Sequence, residues 1–158
     1  MITSDLLPSI GTFITGIVVA IVSARVTVQL ALKRFHSEKW WELKVDAYGA
    51  IIEALHHVRN HADTNLAFLA RGKELPENGD ALLTQKLEDA MAELRKQYDI
   101  GNFVISTEAV SAMDTLMKEL NASTKNVTWG EHLELKLGAV DKCLVSMRKL
   151  ARTDLQLQ

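Results

Sequence analysis

Residues 41–69 read WELKVDAYGAIIEALHHVRNHADTNLAFL. Within them Trp41, Val45, Tyr48, Ile52, Leu55, Ala62, Leu66 and Leu69 recur at spacings of four and three, with Arg59 as the one polar residue on the seam. That period places side chains on one face of an α-helix, so the segment predicts a long bundle helix. Ile51, Ala54, Val58 and Phe68 widen the apolar stripe, as packing against more than one neighbour requires. Gly72 ends the helix, and LPENGD (75–80) is a turn with Asp80 as the next N-cap.

Downstream the apolar period recurs three times. A second helix is expected from about Asp80 to Tyr98, with Leu83, Leu87, Ala90, Met91 and Leu94 inward. DIGNFVIS (99–106) is too short and isolated for a sheet and predicts an ordered connection, with Phe103 and Ile105 plugging the bundle end. A third helix, capped at Ser106 or Thr107, carries Val110, Met113, Met117 and Leu120 and fades by Asn121. A fourth, from about Thr128, presents Leu133, Leu137, Val140, Leu144, Met147 and Ala151, with Cys143 beside the seam. Together these predict an antiparallel four-helix bundle.

Upstream, LLPSIGTFITGIVVAIVSA (6–24) is a run of 19 residues without a formal charge. At 1.5 Å per residue, roughly 20 residues of helix cross a hydrocarbon core of about 30 Å. No basic residue precedes the run, which is also too long for the apolar region of a signal peptide, so an uncleaved transmembrane helix is expected. Residues 1–5 hold no Lys or Arg, whereas Arg25, Lys33, Arg34, Lys39 and Lys44 follow. Basic residues stay on the cytoplasmic side, which puts the N-terminus outside the inner membrane and the C-terminal domain in the cytoplasm. Arg25, Lys33, Arg34 and Trp40 are then the interfacial residues, touching headgroups. Thr12, Gly16, Ala20 and Ala24 form a stripe of small side chains through which two such helices pack closely, predicting a homo-oligomer.

The expected architecture is therefore all-α: an N-terminal transmembrane helix continuing into an antiparallel four-helix bundle. Residues 1–35 form the anchor and juxtamembrane segment, and 36–158 the cytoplasmic bundle. Composition fits one such domain: 158 residues, net charge −2, two prolines and one cysteine. A single cysteine excludes a disulfide framework within the chain. The near-neutral charge gives no pull toward nucleic acid, and no basic stripe interleaved with aromatics lies outside the juxtamembrane cluster.

Four segments, EKWWELKVDAY (38–48), IIEAL (51–55), FVISTEA (103–109) and LARTDL (150–155), resemble a group of small bacterial single-pass membrane proteins with a cytoplasmic helical domain. The resemblance implies a bacterial inner-membrane setting. Some small single-pass proteins of this build act as membrane effectors in bacterial conflict systems, an analogy of architecture alone.

Few residues carry chemistry. Glu53 with His56 has the Glu-x-x-His spacing of di-iron bundles, and His57 with His61 stack at i,i+4, so Glu53, His57 and His61 are the candidate metal ligands. A di-iron site needs a second Glu-x-x-His, which the chain lacks, and the seam places these three residues outward with His56 flanking the core, so solvent-facing histidines without a metal are expected. Arg59 calls for a carboxylate from a neighbouring helix, Glu88, Asp89, Glu93 or Asp114, and is otherwise the candidate contact for a partner. Cys143 reads as a small buried hydrophobe. The sequons at Asn121 and Asn126 match by chance in a cytoplasmic domain. No phosphate-binding glycine loop or Ser/His/Asp grouping is present, so neither a cofactor nor catalysis by this chain is expected.

The expected function is that of a membrane-tethered helical interaction module, one that docks a cytoplasmic protein partner or assembles with itself. The alternative is a pore-like, membrane-perturbing effector of a bacterial defence or toxin system. A metal- or ligand-binding bundle comes third.

Overall fold

The computed structural model describes residues 6–122 and 127–156, with side chains from Val22 onward except that of Asn102. Among the described residues there are four α-helices and no strand: α1 Leu6–Ala70, α2 Glu77–Val104, α3 Thr107–Asn121 and α4 Trp129–Asp154. The chain divides into two compact units, residues 1–40 and 41–158.

In the first unit, every described side chain from Val22 to Trp40 is exposed, including Val26, Val28, Leu30, Leu32 and Phe35. No helix is long and apolar enough to cross a membrane among the described residues. The described side chains begin where the apolar run is ending, and from Arg25 onward charges are too frequent for a span. The expected transmembrane segment, Leu6 to Ala24, has most of its side chains outside the described ones, so that expectation gains no support here.

The second unit is a helical bundle. Ala47, Tyr48, Ile51, Ala54, Leu55, Val58 and Ala62 of α1 are buried, as are Leu83, Ala90 and Leu94 of α2. Ala109, Met113 and Leu116 of α3 join Leu133, Val140, Cys143, Leu144, Met147 and Ala151 of α4 in the core. The α1 core stripe takes in Ile51, Ala54 and Val58, the residues expected to widen it, whereas Ile52, Arg59 and Leu66 of the expected seam are only partly buried. The Trp41 indole N–H donates to the Leu155 carbonyl (3.5 Å), His56 meets Arg148 (3.0 Å) and Arg59 meets Asp141 (2.7 Å). Rising α1 numbers thus meet falling α4 numbers, which makes the pair antiparallel.

Helix ends follow local chemistry. Gly72, at φ +62°, closes α1: its N–H donates to the Leu69 carbonyl and that of Lys73 to Phe68 (3.0 and 3.1 Å), a left-handed turn that a side chain would strain. Ser106 caps α3, its hydroxyl accepting from the Ala109 N–H. Thr128 and Glu131 form a reciprocal capping box at the start of α4.

Two expectations at helix boundaries are corrected. Asp80 is not the cap of α2, which begins three residues earlier because the Pro76 carbonyl already accepts from the N–H groups of Gly79 and Asp80. Nor is 99–106 an irregular connection: α2 runs through it to Val104. Gly101 makes this continuation feasible, since a Cβ there would lie 3.0 Å from Cδ1 of Ile105. Ile105 is buried as expected, whereas Phe103, expected to plug the bundle end, is 79% exposed. At that helical position the ring points off the apolar face of α2.

Candidate functional site

The bundle presents three polar constellations and one apolar end. The first ties α1, the α2–α3 corner and the end of α4 together. Tyr48, fully buried on α1, donates its hydroxyl hydrogen to Oδ2 of Asp154, and the same carboxylate oxygen accepts the Ser106 N–H at 3.1 Å. Ser106 Oγ lies 3.3 Å from the Tyr48 hydroxyl. Burial first, and the Asp154 carboxylate second, push the Tyr48 phenol up to about 12. A neutral phenol donating to a carboxylate in a protected setting makes a strong clasp, not a proton-transfer pair for neutral pH. Tyr48 lies on the expected seam, but its polar partners come from helix ends distant in sequence, which no local spacing reveals. Their sequence signal was the Ser-Thr-Glu cap at 106–108 and a lone Asp beside the apolar Ala151 and Leu155.

The second constellation lies along the α1–α4 seam. Arg59 pairs with Asp141 at 2.7 Å and with Asp63 at 3.7 Å, with both partners' side chains more than two-fifths exposed. The expected partners Glu88, Asp89, Glu93 and Asp114 are not the ones used, because Arg59 sits on the α4 flank of α1. It is thus a half-exposed paired cation and not a buried seam charge, and its role as a partner contact stays a proposal.

The third concerns the histidines. Glu53 and His57 line a groove with Lys86, Asp89 and Glu93 of α2, floored by Ala54 and Ala90. His61 is not on that surface: it is buried at 8% exposure, contrary to the outward position expected, because it continues the 47, 51, 54, 58 stripe. His56, expected to flank the core, is exposed and within hydrogen-bond distance of Arg148. Burial holds the His61 imidazole below its usual range, an effect reinforced by Lys136 and opposed by Asp80. Its Nε2 lies 3.4 Å from Asn65 Nδ2. The candidate ligands Glu53, His57 and His61 are therefore not brought together, and among the described residues no group of three His, Cys, Asp or Glu side chains could hold a metal ion. Cys143 is buried as expected, its thiol pushed up to about 11 by burial and, secondarily, by Glu119, so its sulfur is a weak nucleophile.

Of the residues assigned to the anchor, Thr12, Gly16 and Ala20 have side chains outside the described ones. Ala24, Arg25, Lys33, Arg34 and Trp40 are exposed, and Arg34 pairs with Glu38 at 2.9 Å on its own helix.

The apolar end is where Trp41 lies. Trp41, Leu43, Ile100 and Phe103 are 47%, 50%, 45% and 79% exposed, and the clasp of Tyr48, Ser106 and Asp154 fixes α1, the α2–α3 corner and α4 together at this end. At α4, a separate groove of about 630 Å³ runs along Leu135, Gly138, Ala139 and Lys142 to Glu119 and Ala122, where α3 stops short.

Compared with known proteins, the chain matches no family model, no curated protein and no solved structure.

Proposed function

We propose that this chain is a membrane-tethered helical interaction module: residues 6–24 anchor it in a bacterial inner membrane, and the bundle docks a cytoplasmic partner or a second copy. The observation that carries the reading is the run of 19 uncharged residues, followed by basic residues at 25, 33, 34, 39 and 44 and by none before it. A helix whose described apolar side chains from Val22 to Phe35 all stand exposed supports it too, since such a surface calls for lipid or protein against it. The polar constellations of the bundle act as clasps and ion pairs rather than as an assembled reaction centre, which favours binding over catalysis.

Fractionation tests the tether. The full chain should sediment with inner membranes, resist alkaline carbonate and be released by detergent, while Val18→Asp should move it to the soluble fraction. In a Cys143→Ser variant carrying Thr3→Cys, a membrane-impermeant thiol reagent should label intact cells. Full-length protein that remains soluble overturns the reading, and a Thr3→Cys thiol labelled only after lysis reverses the orientation. Photocrosslinking from exposed bundle positions then separates a heterologous partner from a second copy.

A further inference from the structure

The two ends of the bundle are held differently. At one end the clasp of Tyr48, Ser106 and Asp154 lies against the continuous apolar core, which makes that end rigid. On α1 this core stops at Val58. Among the described residues Ala62, Leu83 and Leu133 are buried apart from it, each within a turn of His61 or of the two charges that act on His61, Asp80 and Lys136. His61 lies thirteen residues, or about 20 Å, along α1 from Tyr48, and no other histidine, acid or base is buried among the described residues. A segment with so little apolar packing, built around a titratable ring, is where a bundle opens first.

Geometry holds that ring in its neutral form. Asn65 Nδ2 donates to the His61 carbonyl at 2.9 Å, which fixes which end of the amide faces the ring. His61 Nε2 lies 3.4 Å from the same Nδ2, so that ring nitrogen acts as the acceptor and carries no proton. An imidazolium would set N–H against N–H. Burial opposes the added charge first and Lys136 of α4 second, while Asp80 of α2 favours it. We propose that this end of the bundle is an acid-operated latch: protonation of His61 releases the stretch of α1 beyond Val58 from the starts of α2 and α4, while the Tyr48 end stays closed. Once released, the imidazole meets water and takes up a proton with its ordinary pKa of about 6.5, which the closed form resists. Acid therefore favours release. The coupling also has a ceiling, since one pH unit below the open-state value the released form gains at most about tenfold over its share near neutrality. At the other end the Tyr48 phenol, pushed up to about 12, keeps its proton throughout this range.

Amide hydrogen exchange of the full-length protein in detergent, read by mass spectrometry, tests the latch. It is measured at about pH 7.5 and about pH 5.5, and each rate is divided by the chemical exchange rate at that pH. In wild type the protection of residues 62–72 should fall several-fold on acidification, within the ceiling of about tenfold, while residues 44–55 hold theirs. In His61→Gln the fall at 62–72 should be lost. His56, His57 and His132 remain in both proteins, so any part that they play cancels. A second variant guards against a misfolded His61→Gln. Asn65→Asp, at a partly exposed position, sets a carboxylate where the amide was and accepts from the imidazolium, so acid should raise protection at 62–72 instead of lowering it. Unchanged protection at 62–72 in wild type overturns the proposal, as does a fall equal to that of wild type in either variant. An equal fall at 44–55 also overturns it, since the bundle would then be opening as a whole.

Discussion

The Tyr48 hydroxyl donates to Asp154 Oδ2, joining the packed stretch of α1 to the last residue of α4. The acceptor is shared with the Ser106 N–H, so one carboxylate fixes three helices at one end of the bundle. Tyr48→Phe keeps the ring and its packing but removes a donor from Asp154, and should lower stability by about 1–2 kcal/mol in urea titration. Asp154→Ala should cost a similar amount, and the double variant less than the sum, because the partners belong to one network. The same clasp sets an alkaline limit. The folded phenol is pushed up to about 12, against about 10 in an unfolded chain, so its contribution is whole below about pH 10 and is lost as pH rises through about 12. Urea midpoints that fall equally with pH in wild type and Tyr48→Phe would show that another group sets that limit.

The sequence made the bundle legible because helix packing is a local periodic signal. Met113, Leu133, Val140, Leu144 and Met147 are buried where their spacing places them; Ser106, one of the two expected caps, caps α3, and α4 begins right after Thr128, close to its expected start. What the spacing could not resolve was rotation by one residue: Ile52 and Ile51 both fit an apolar seam, and the choice between them decides whether His61 is inside or outside. Only the direction of the neighbouring helices settles that. Cross-helix polar partners were illegible for a related reason. Asp141 and Asp154 look like any other surface acids in sequence and acquire their roles from the antiparallel register of α4 on α1.

His61 should make stability depend on pH in the acid direction. Its imidazole is buried and held below its ordinary value, so the unfolded chain takes up a proton first. The contribution is complete above the unfolded value of about 6.5 and is lost as pH falls through the lower folded value. The groups facing it are Asn65 on its own helix, Asp80 of α2 and Lys136 of α4, the last opposing protonation and Asp80 favouring it. His61→Gln retains a polar group near Asn65 but cannot titrate. The loss of urea stability between about pH 7.5 and about pH 5 should therefore be smaller in His61→Gln than in wild type. An identical loss in both would move the acid sensitivity to another site.

The Arg59–Asp141 pair should matter far less than its short distance suggests. Both side chains are over two-fifths exposed, so solvent screens the attraction, and Arg59→Met should change stability by no more than about 1 kcal/mol. By contrast Leu55→Ala, at a position with no exposure, should cost about 2–5 kcal/mol through lost burial and the cavity left behind. If Arg59→Met proved as costly as Leu55→Ala, the ion pair would have to be far better shielded than its exposure indicates. A neutral Arg59→Met would also make that variant a clean probe for partner binding at the same surface.

Two helical glycines should respond in opposite ways to the same change. Gly49 is exposed within α1, and a Cβ added there would meet nothing within 4 Å. Gly49→Ala removes backbone freedom from the unfolded chain without a clash and should raise stability by about 0.5–1 kcal/mol. Gly101, buried in α2, gains the same helical preference, but its Cβ would lie 3.0 and 3.2 Å from Cδ1 and Cγ1 of Ile105. Ile105 is 8% exposed and packed in the core, so it can yield only by disturbing its neighbours. Overpacking of that kind costs about 1–3 kcal/mol, enough to cancel or exceed the gain, and Gly101→Ala should fall below wild type. Urea midpoints of the two variants against wild type decide the matter. A Gly101→Ala protein as stabilised as Gly49→Ala would mean that Ile105 swings freely at the α2–α3 corner, and the rigidity ascribed to that end of the bundle would then be lost with it.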